Sequence, residues 1–306
     1  MAEYLTLAEA AKLTQNELKR GVIEVFARTS PVLQVMPFMN IAGQALVYNQ
    51  EQTLPGIGFR AINSTPTPDQ GVVNQEVESL MVLGGITQVD RALVKMQGNV
   101  NNIRAIHDAM KAKAAALEFT RAFFKGDHDG TPTEFDGLEN RLTGAQVIDY
   151  TGTGFLAAVD ELIDSVVGAP DAIFLNKTMR RYLNAQVRAA GQAIETVNDQ
   201  FGRRLQAYAG IPLLTVEEDA EGNDILGFDE GASDYTSIYA VRFGVGEYVS
   251  GIQSGGIEVE DLGLVGVFYQ TLIEWICGMA VFHPRAAARL RYIENPYGST
   301  TTTTTA

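Results

Sequence analysis

The side chains whose types and spacing come nearest to a reactive site are Asp127, His128 and Asp129, with Glu134 and Asp136 close behind, in a Gly/Pro/Thr-rich stretch. Carboxylates gathered on one loop can hold a hard cation. The ordered spacing of a calcium loop is missing, with no Glu at the twelfth position, so the stretch reads first as a solvated loop. His107 adjoins Asp108 and His283 precedes Pro284, but three histidines in total and no HExxH pattern leave no metalloenzyme triad. Ser250-Gly-Ile-Gln-Ser254-Gly-Gly is turn-rich and is not a nucleophile elbow. Gly244-Val-Gly246 and Gly255-Gly256 do not open a βα turn with a distant acid, and no GK[ST] occurs, so neither a dinucleotide nor a phosphate cradle is indicated. The single Cys277 sits in the apolar run from Leu272 to Phe282, which excludes a disulfide within one chain and reads as a structural thiol. Arg180-Arg181 and Arg203-Arg204 read as solvated faces or interface salt bridges. The sequence therefore assigns no catalytic, cofactor-binding or metal-binding residue and no cofactor. An α/β enzyme with a metal on the 127–136 loop stays open as a distant reading.

With 306 residues and 46% hydrophobic residues the chain can bury a substantial core. It has no run of 18 apolar residues and no charged-then-apolar signal, so no membrane span or recognisable export signal is expected. Its 23 basic and 37 acidic residues give a net charge of −14. That balance opposes tight general binding of nucleic acid, while leaving open a protein that merely encloses it.

The elements that would have to position any site begin with an amphipathic helix, Tyr4 to Arg28, opened by Thr6-Leu-Ala-Glu9 as a capping box and closed at Ser30-Pro31. A Pro-bounded linker, Pro31 to Pro37, follows. From Asn40 to Gln88 the pattern is a long two-stranded excursion with β-like pieces at Ala45–Tyr48, Gly58–Ile62 and Val77–Gly85. A hairpin this long is marginal unless it has something to lie on. A helix of about 25 residues, Asn101 to Lys125, carries Ile103, Ile106, Met110, Ala114, Leu117 and Phe124 on a helical repeat and stops at Gly126. An α/β unit follows: helices at Gly154–Val167 and Lys177–Ala190, and strands at Ala172–Leu175, Ile211–Glu217 and Ser237–Phe243. Strands are then expected at Leu264–Leu272, Ile273–Phe282 and Ala286–Ile293. In the last, Leu290 and Tyr292 alternate with Arg289 and Arg291, predicting one buried and one polar face. The Thr run at the end has no apolar anchor and reads as a mobile tail.

Taken in order, these elements make an α+β chain that resembles the tailed-bacteriophage major capsid proteins of the Hong Kong 97-type fold, over about residues 1 to 295. The resemblance rests on Phe124-Lys-Gly-Asp127 followed by Phe135-Asp-Gly-Leu138, on Phe268-Tyr-Gln-Thr-Leu-Ile-Glu-Trp275, and on Pro284-Arg-Ala-Ala-Ala-Arg-Leu290. It implies an N-terminal arm (1–40), an extended β-hairpin loop (41–92), a peripheral domain with a long spine helix (93–150 and 258–295), an α/β axial domain (151–257) and a tail (296–306). It further implies a non-enzymatic shell subunit that assembles with itself into pentamers and hexamers of an icosahedral head. Such a head encloses double-stranded DNA without tight sequence-specific contacts. The partners implied are a scaffolding protein, a portal and a decoration protein; the location implied is the virion capsid, assembled in the host bacterial cytoplasm.

Two features bound what the resemblance carries over. No Lys occurs from Asn40 to Gln88, so the Lys–Asn cross-link some members form from this loop is not expected. The sequence opens directly on the arm, which favours a separate scaffold over a fused one. An encapsulin-like compartment shell enclosing a cargo enzyme stays open within the same fold.

Overall fold

The computed structural model describes residues 29–96, 103–198, 204–231 and 234–298. The arm helix expected over Tyr4 to Arg28 and the Thr run lie outside the described residues. The chain builds three sheets around one long helix. A four-stranded sheet takes the order β1 (Phe38–Asn40), β11 (Val249–Val265), β12 (Phe268–Val281), β4 (Met81–Asp90). A seven-stranded mixed sheet runs β5 (Val147–Asp149), β13 (Ala287–Glu294), β10 (Tyr235–Val241), β6 (Ala172–Leu175), β9 (Ile211–Thr215), β8 (Arg204–Tyr208), β7 (Glu195–Asn198). The third sheet is a hairpin of β2 (Ala45–Thr53) and β3 (Val72–Ser79). The helices are α1 (Pro31–Val35), α2 (Arg91–Met96), α3 (Ile103–Lys125), α4 (Leu138–Arg141), α5 (Phe155–Ser165) and α6 (Lys177–Ala189).

Helix α3 joins the two larger sheets through aromatic side chains. Its Phe119 lies 4.9 Å, centroid to centroid, from Trp275 of β12, and Phe38 of β1 lies 5.2 Å from the same indole. One turn on, Phe124 lies 5.4 Å from Phe174 of β6 and 5.2 Å from Tyr239 of β10. Such tilted ring pairs contribute about 0.5–1.5 kcal/mol each beyond their buried area. All four residues of β6 are buried because both faces of the sheet are covered: Phe174 faces α3, while Ile173 and Leu175 pack with α5 and α6. Helix α6 begins where Asn176 accepts a hydrogen bond from the Met179 amide at 2.7 Å, a side-chain cap.

Several expected patterns are corrected here. On α3 Phe124 is buried as expected, but upstream of it the buried stripe is Ala112, Ala116, Phe119 and Phe123, whereas Ile106 and Met110 are 48% and 62% exposed. The two stripes are two residues out of phase, about half a turn, and the small alanines let the helix lie close on β4 and β12. The piece Gly58–Ile62 is not a strand, and Val77–Gly85 is split at Leu80 between β3 and β4. The break expected between Leu272 and Ile273 falls instead at Gly266-Val267, and both residues sit inside β12. On β13 the alternation fails: Arg289 is buried and Tyr292 is 38% exposed. Between Leu290 and Ile293, β13 carries one more residue than β10 does between Ile238 and Thr236, and Tyr292 takes φ +63 in that bulge. Arg289 tolerates burial because it pairs with Glu139 at 3.0 Å and Glu230 at 3.1 Å.

Candidate assembly interface

The hairpin of β2 and β3 is fixed at its base. Arg141, the last residue of α4, grips both carboxylate oxygens of Glu78 on β3, one of them at 2.6 Å, and both side chains are mostly buried. Tyr48 of β2 donates its hydroxyl to the Val281 carbonyl at 2.9 Å, and its ring lies 4.7 Å from Phe282. Gln50 Nε2 reaches the same carbonyl at 3.3 Å. Burial works to lower the pKa of Arg141, but the hydrogen bonds and charge of Glu78 outweigh it and the net shift is upward, so the guanidinium stays charged. Burial first, then the Glu78 charge, pushes the Tyr48 hydroxyl up, which keeps it a donor.

Arg141 is presented by a backbone stitch at the end of α3. The Gly137 amide donates to the Gly126 carbonyl at 2.9 Å, and Asn140 Nδ2 donates to the same oxygen at 2.9 Å. A Cβ on Gly137 would stand 2.6 Å from the Phe124 carbonyl oxygen, and one on Gly126 would stand 2.2 Å from that of Phe135. The two Phe/Gly clusters of the sequence are therefore the two halves of one close backbone crossing. Phe135 and Leu138 bury their side chains on the α3 side of it.

Beyond its base the hairpin leaves the body. Val47 and Val77 pair directly across the two strands, and with Val73 they form an apolar face more than half exposed. Residues 54–71 form the tip, shaped by the Gly56 amide on Asp69 Oδ2 at 2.6 Å and Arg60 Nη1 on the Ser64 carbonyl at 2.8 Å. There Leu54 is 73%, Ile57 95% and Ile62 93% exposed, and Phe59 is fully exposed. Four large apolar side chains on one projecting segment make an uncovered apolar surface within the single chain.

Residues 14–157, which span this loop, α3 and the stitch, match the family model described as Major capsid protein GP7. The whole fold is similar to the encapsulin of the holo-SrpI complex from Synechococcus elongatus, with TM-score 0.67 and 16% identity over 88% of this chain and 89% of that one. It is likewise similar to the capsid protein of a native GTA particle, TM-score 0.63, 14% identity, 86% and 90% coverage. The Microbacterium phage Oxtober96 protein gives TM-score 0.62, 14% identity and the same 86% and 90% coverage. This chain has the Hong Kong 97-type fold. No curated protein sequence matches it.

Of the side chains first singled out for chemistry, Asp127, His128, Glu134 and Asp136 have structural partners. Asp127 Oδ1 accepts from the Gly130 amide at 3.2 Å, and Asp136 Oδ1 accepts from the His128 amide at 2.9 Å. His128 Nδ1 lies 2.8 Å from the Glu134 carbonyl, and the Glu134 carboxylate pairs with Arg121 at 2.7 Å. These are turn contacts, and among the described residues no three His, Cys, Asp or Glu side chains converge as metal ligands. His283 Nδ1 accepts from the Arg285 amide at 3.0 Å at a strand end. Exposed His107 neighbours buried Asp108, whose Oδ1 has no hydrogen-bond partner. Burial raises the Asp108 pKa, opposed by the Arg104 charge. Ser250 is buried in β11, and Gly255 and Gly256 take φ +74 and +79 at a bulge in that strand. Burial likewise pushes the Cys277 thiol up, as suits a core residue. Arg180 donates to Thr215 Oγ1 at 3.3 Å, Arg181 stacks 3.9 Å over the Tyr297 ring, Arg204 is exposed on β8, and Arg203 lies outside the described residues.

Sequence reasoning missed the clamp formed by Tyr48, Glu78 and Arg141. Its members are separated by 30 and 63 positions and carry no common motif. The one available signal was Glu78, a charge inside an otherwise uncharged run from Val77 to Val89.

Proposed function

We propose that this protein is the building block of a closed phage-head shell, in which copies form pentamers and hexamers and the particle encloses double-stranded DNA. The observation that carries this reading is the projecting loop with Ile57, Phe59 and Ile62 at least nine-tenths exposed on a base held by a buried ion pair. A rigid base with an uncovered apolar tip is built to be completed by a neighbour, and a head-to-tail contact that closes by rotation gives rings. The finer division follows: residues 1–40 as arm, 41–92 as the loop over the neighbouring subunit, 93–150 with 258–295 as the peripheral domain, and 151–257 as the axial domain at the ring centre. Partners of the assembly are a scaffolding protein, a portal and a decoration protein. The shell forms in the host bacterial cytoplasm and is retained as the virion capsid. The proposed role of the chain is structural, with no catalytic residue.

A second reading, a compartment shell that encloses cargo protein, draws on the likeness to the Synechococcus encapsulin. Net charge −14 favours neither, since it opposes tight polyanion binding without opposing enclosure. Electron microscopy of the purified protein, with the 260/280 absorbance ratio of the same fraction, tests both. Closed particles rich in nucleic acid support the phage head, and closed particles with a co-purifying protein support the compartment. A uniform monomer, even with scaffold supplied, overturns both. Deleting residues 53–75 is expected to leave the body folded and to abolish closed particles.

A further inference from the structure

Helices α5 and α6 lie on the same face of the seven-stranded sheet and bury their apolar stripes together, Phe155, Val159 and Leu162 beside Met179, Leu183 and Val187. Their outward stripes carry opposite charges. On α5 the exposed ionisable residues are Asp160, Glu161 and Asp164, with no base in the helix. On α6 they are Lys177, Arg181 and Arg188, with Arg180 half-exposed and no acid in the helix. The two helices are of similar length, eleven and thirteen residues, or about 16 and 20 Å at 1.5 Å per residue.

These charges are not spent within the chain. Lys177 pairs with Glu217 at 2.9 Å and Arg181 stacks 3.9 Å over the Tyr297 ring, but among the described residues Asp160, Glu161, Asp164, Arg180, Arg181 and Arg188 form no ion pair. Asp160 accepts a hydrogen bond from the Tyr208 hydroxyl at 2.7 Å and keeps its charge uncompensated; burial and that contact push Tyr208 up to about 12. Copies of a chain with net charge −14 repel one another. Association then needs a place where cations are gathered, and α6 holds four of the 23 lysines and arginines in thirteen residues. A second copy supplies the matching surface.

We infer that the acidic row of α5 in one copy docks on the basic row of α6 in the next, making this helix pair a charge-complementary contact between subunits. The inference rests on the shell reading and adds to it a second contact, on the face of the seven-stranded sheet away from the spine helix. One exposed ion pair contributes little, but opposed rows fix register and reject like-charged faces. The contact therefore weakens with salt on the scale of the screening length.

The test uses full-length charge reversals. Arg181→Glu with Arg188→Glu, and separately Glu161→Lys with Asp164→Lys, leave the apolar stripes and the Tyr208–Asp160 bond in place. Both are expected to keep the wild-type circular dichroism spectrum and to lower closed-particle yield about tenfold or more. The chain carrying all four substitutions is expected to assemble again, because its rows are exchanged rather than matched in sign. Mixing the two double variants should also give hetero-association in sedimentation velocity, which neither shows by itself. Wild-type yield from either double variant, or four substitutions that restore nothing, overturns the inference. If the unmodified protein forms no particles, the shell reading fails separately: hetero-association of the mixed variants still supports the contact, and its absence removes it.

Discussion

The base and the tip of the hairpin loop are built from the same short stretch of chain by opposite rules. At the base, a charge is buried and every polar group that matters is partnered: Glu78 by Arg141, the Tyr48 hydroxyl by Val281. At the tip, apolar side chains are left in water and the backbone is held by local bonds such as Gly56 on Asp69. The base has finished its folding inside one subunit; on the proposed reading the tip is finished only against another. Folding stability and assembly are thus assigned to different residues of one element, and the two can be broken independently.

The largest stability effect is expected from Arg141→Ala. It leaves Glu78, whose side chain is 12% exposed, as an unpaired buried carboxylate, and removing one partner of such a pair costs about 3–5 kcal/mol. Urea unfolding of the unassembled subunit measures it, and a loss below 1 kcal/mol would mean that the clamp is not what fixes the loop. Gly137→Ala attacks the same base indirectly. Its Cβ would meet three backbone atoms within 2.7 Å, so the chain carrying Arg141 must move, at a cost of about 1–3 kcal/mol. A crystal structure of that variant should show α4 displaced from Glu78; an unmoved α4 with unchanged stability would break the link between stitch and clamp.

How much of this the sequence discloses depends on whether the physics is local. Strand β6 follows from a short apolar run and helix α6 from the alternation of an α/β unit, and the structure places both within a residue of expectation. The two Phe/Gly clusters also mark a real feature, because a close backbone crossing demands glycine at fixed places on both strands of the crossing. The clamp could not be read, since Glu78 and Arg141 meet only once β3 and α4 have been folded together. The face of α3 was misread because Ile106 and Met110 outrank Ala112 and Ala116 in hydrophobicity, while close helix–sheet packing selects the smaller side chains. Arg289 was misread for a related reason: its burial depends on Glu139 and Glu230, 150 and 59 positions away, and no pattern within β13 announces them.

A smaller effect sharpens the comparison from the side of β2. Tyr48→Phe keeps the ring on Phe282 and removes the hydroxyl that the Val281 carbonyl accepts, leaving that partly buried oxygen to Gln50 at 3.3 Å. The cost is about 1 kcal/mol, the net worth of one such bond, read as a shift in the urea midpoint with unchanged slope. Particle yield should fall only modestly, because Arg141 still holds β3.

The smallest effect on stability belongs to the residues proposed to do most in assembly. Ile57→Ser with Phe59→Ser changes two side chains that touch almost nothing within their own subunit, so unfolding of the isolated chain should shift by no more than about 0.5 kcal/mol. If the neighbour covers both, each burial is worth about 1.5–3 kcal/mol per contact. A closed shell repeats that contact at every subunit, so a loss too small to matter in one copy decides whether many copies hold together. The expected outcome is therefore a normally folded subunit that no longer closes into particles, the reverse of Arg141→Ala measured on the isolated chain. A double Ser variant that is strongly destabilised as a monomer would show that the tip folds back on its own body, and the division of labour along the hairpin would then have to be abandoned.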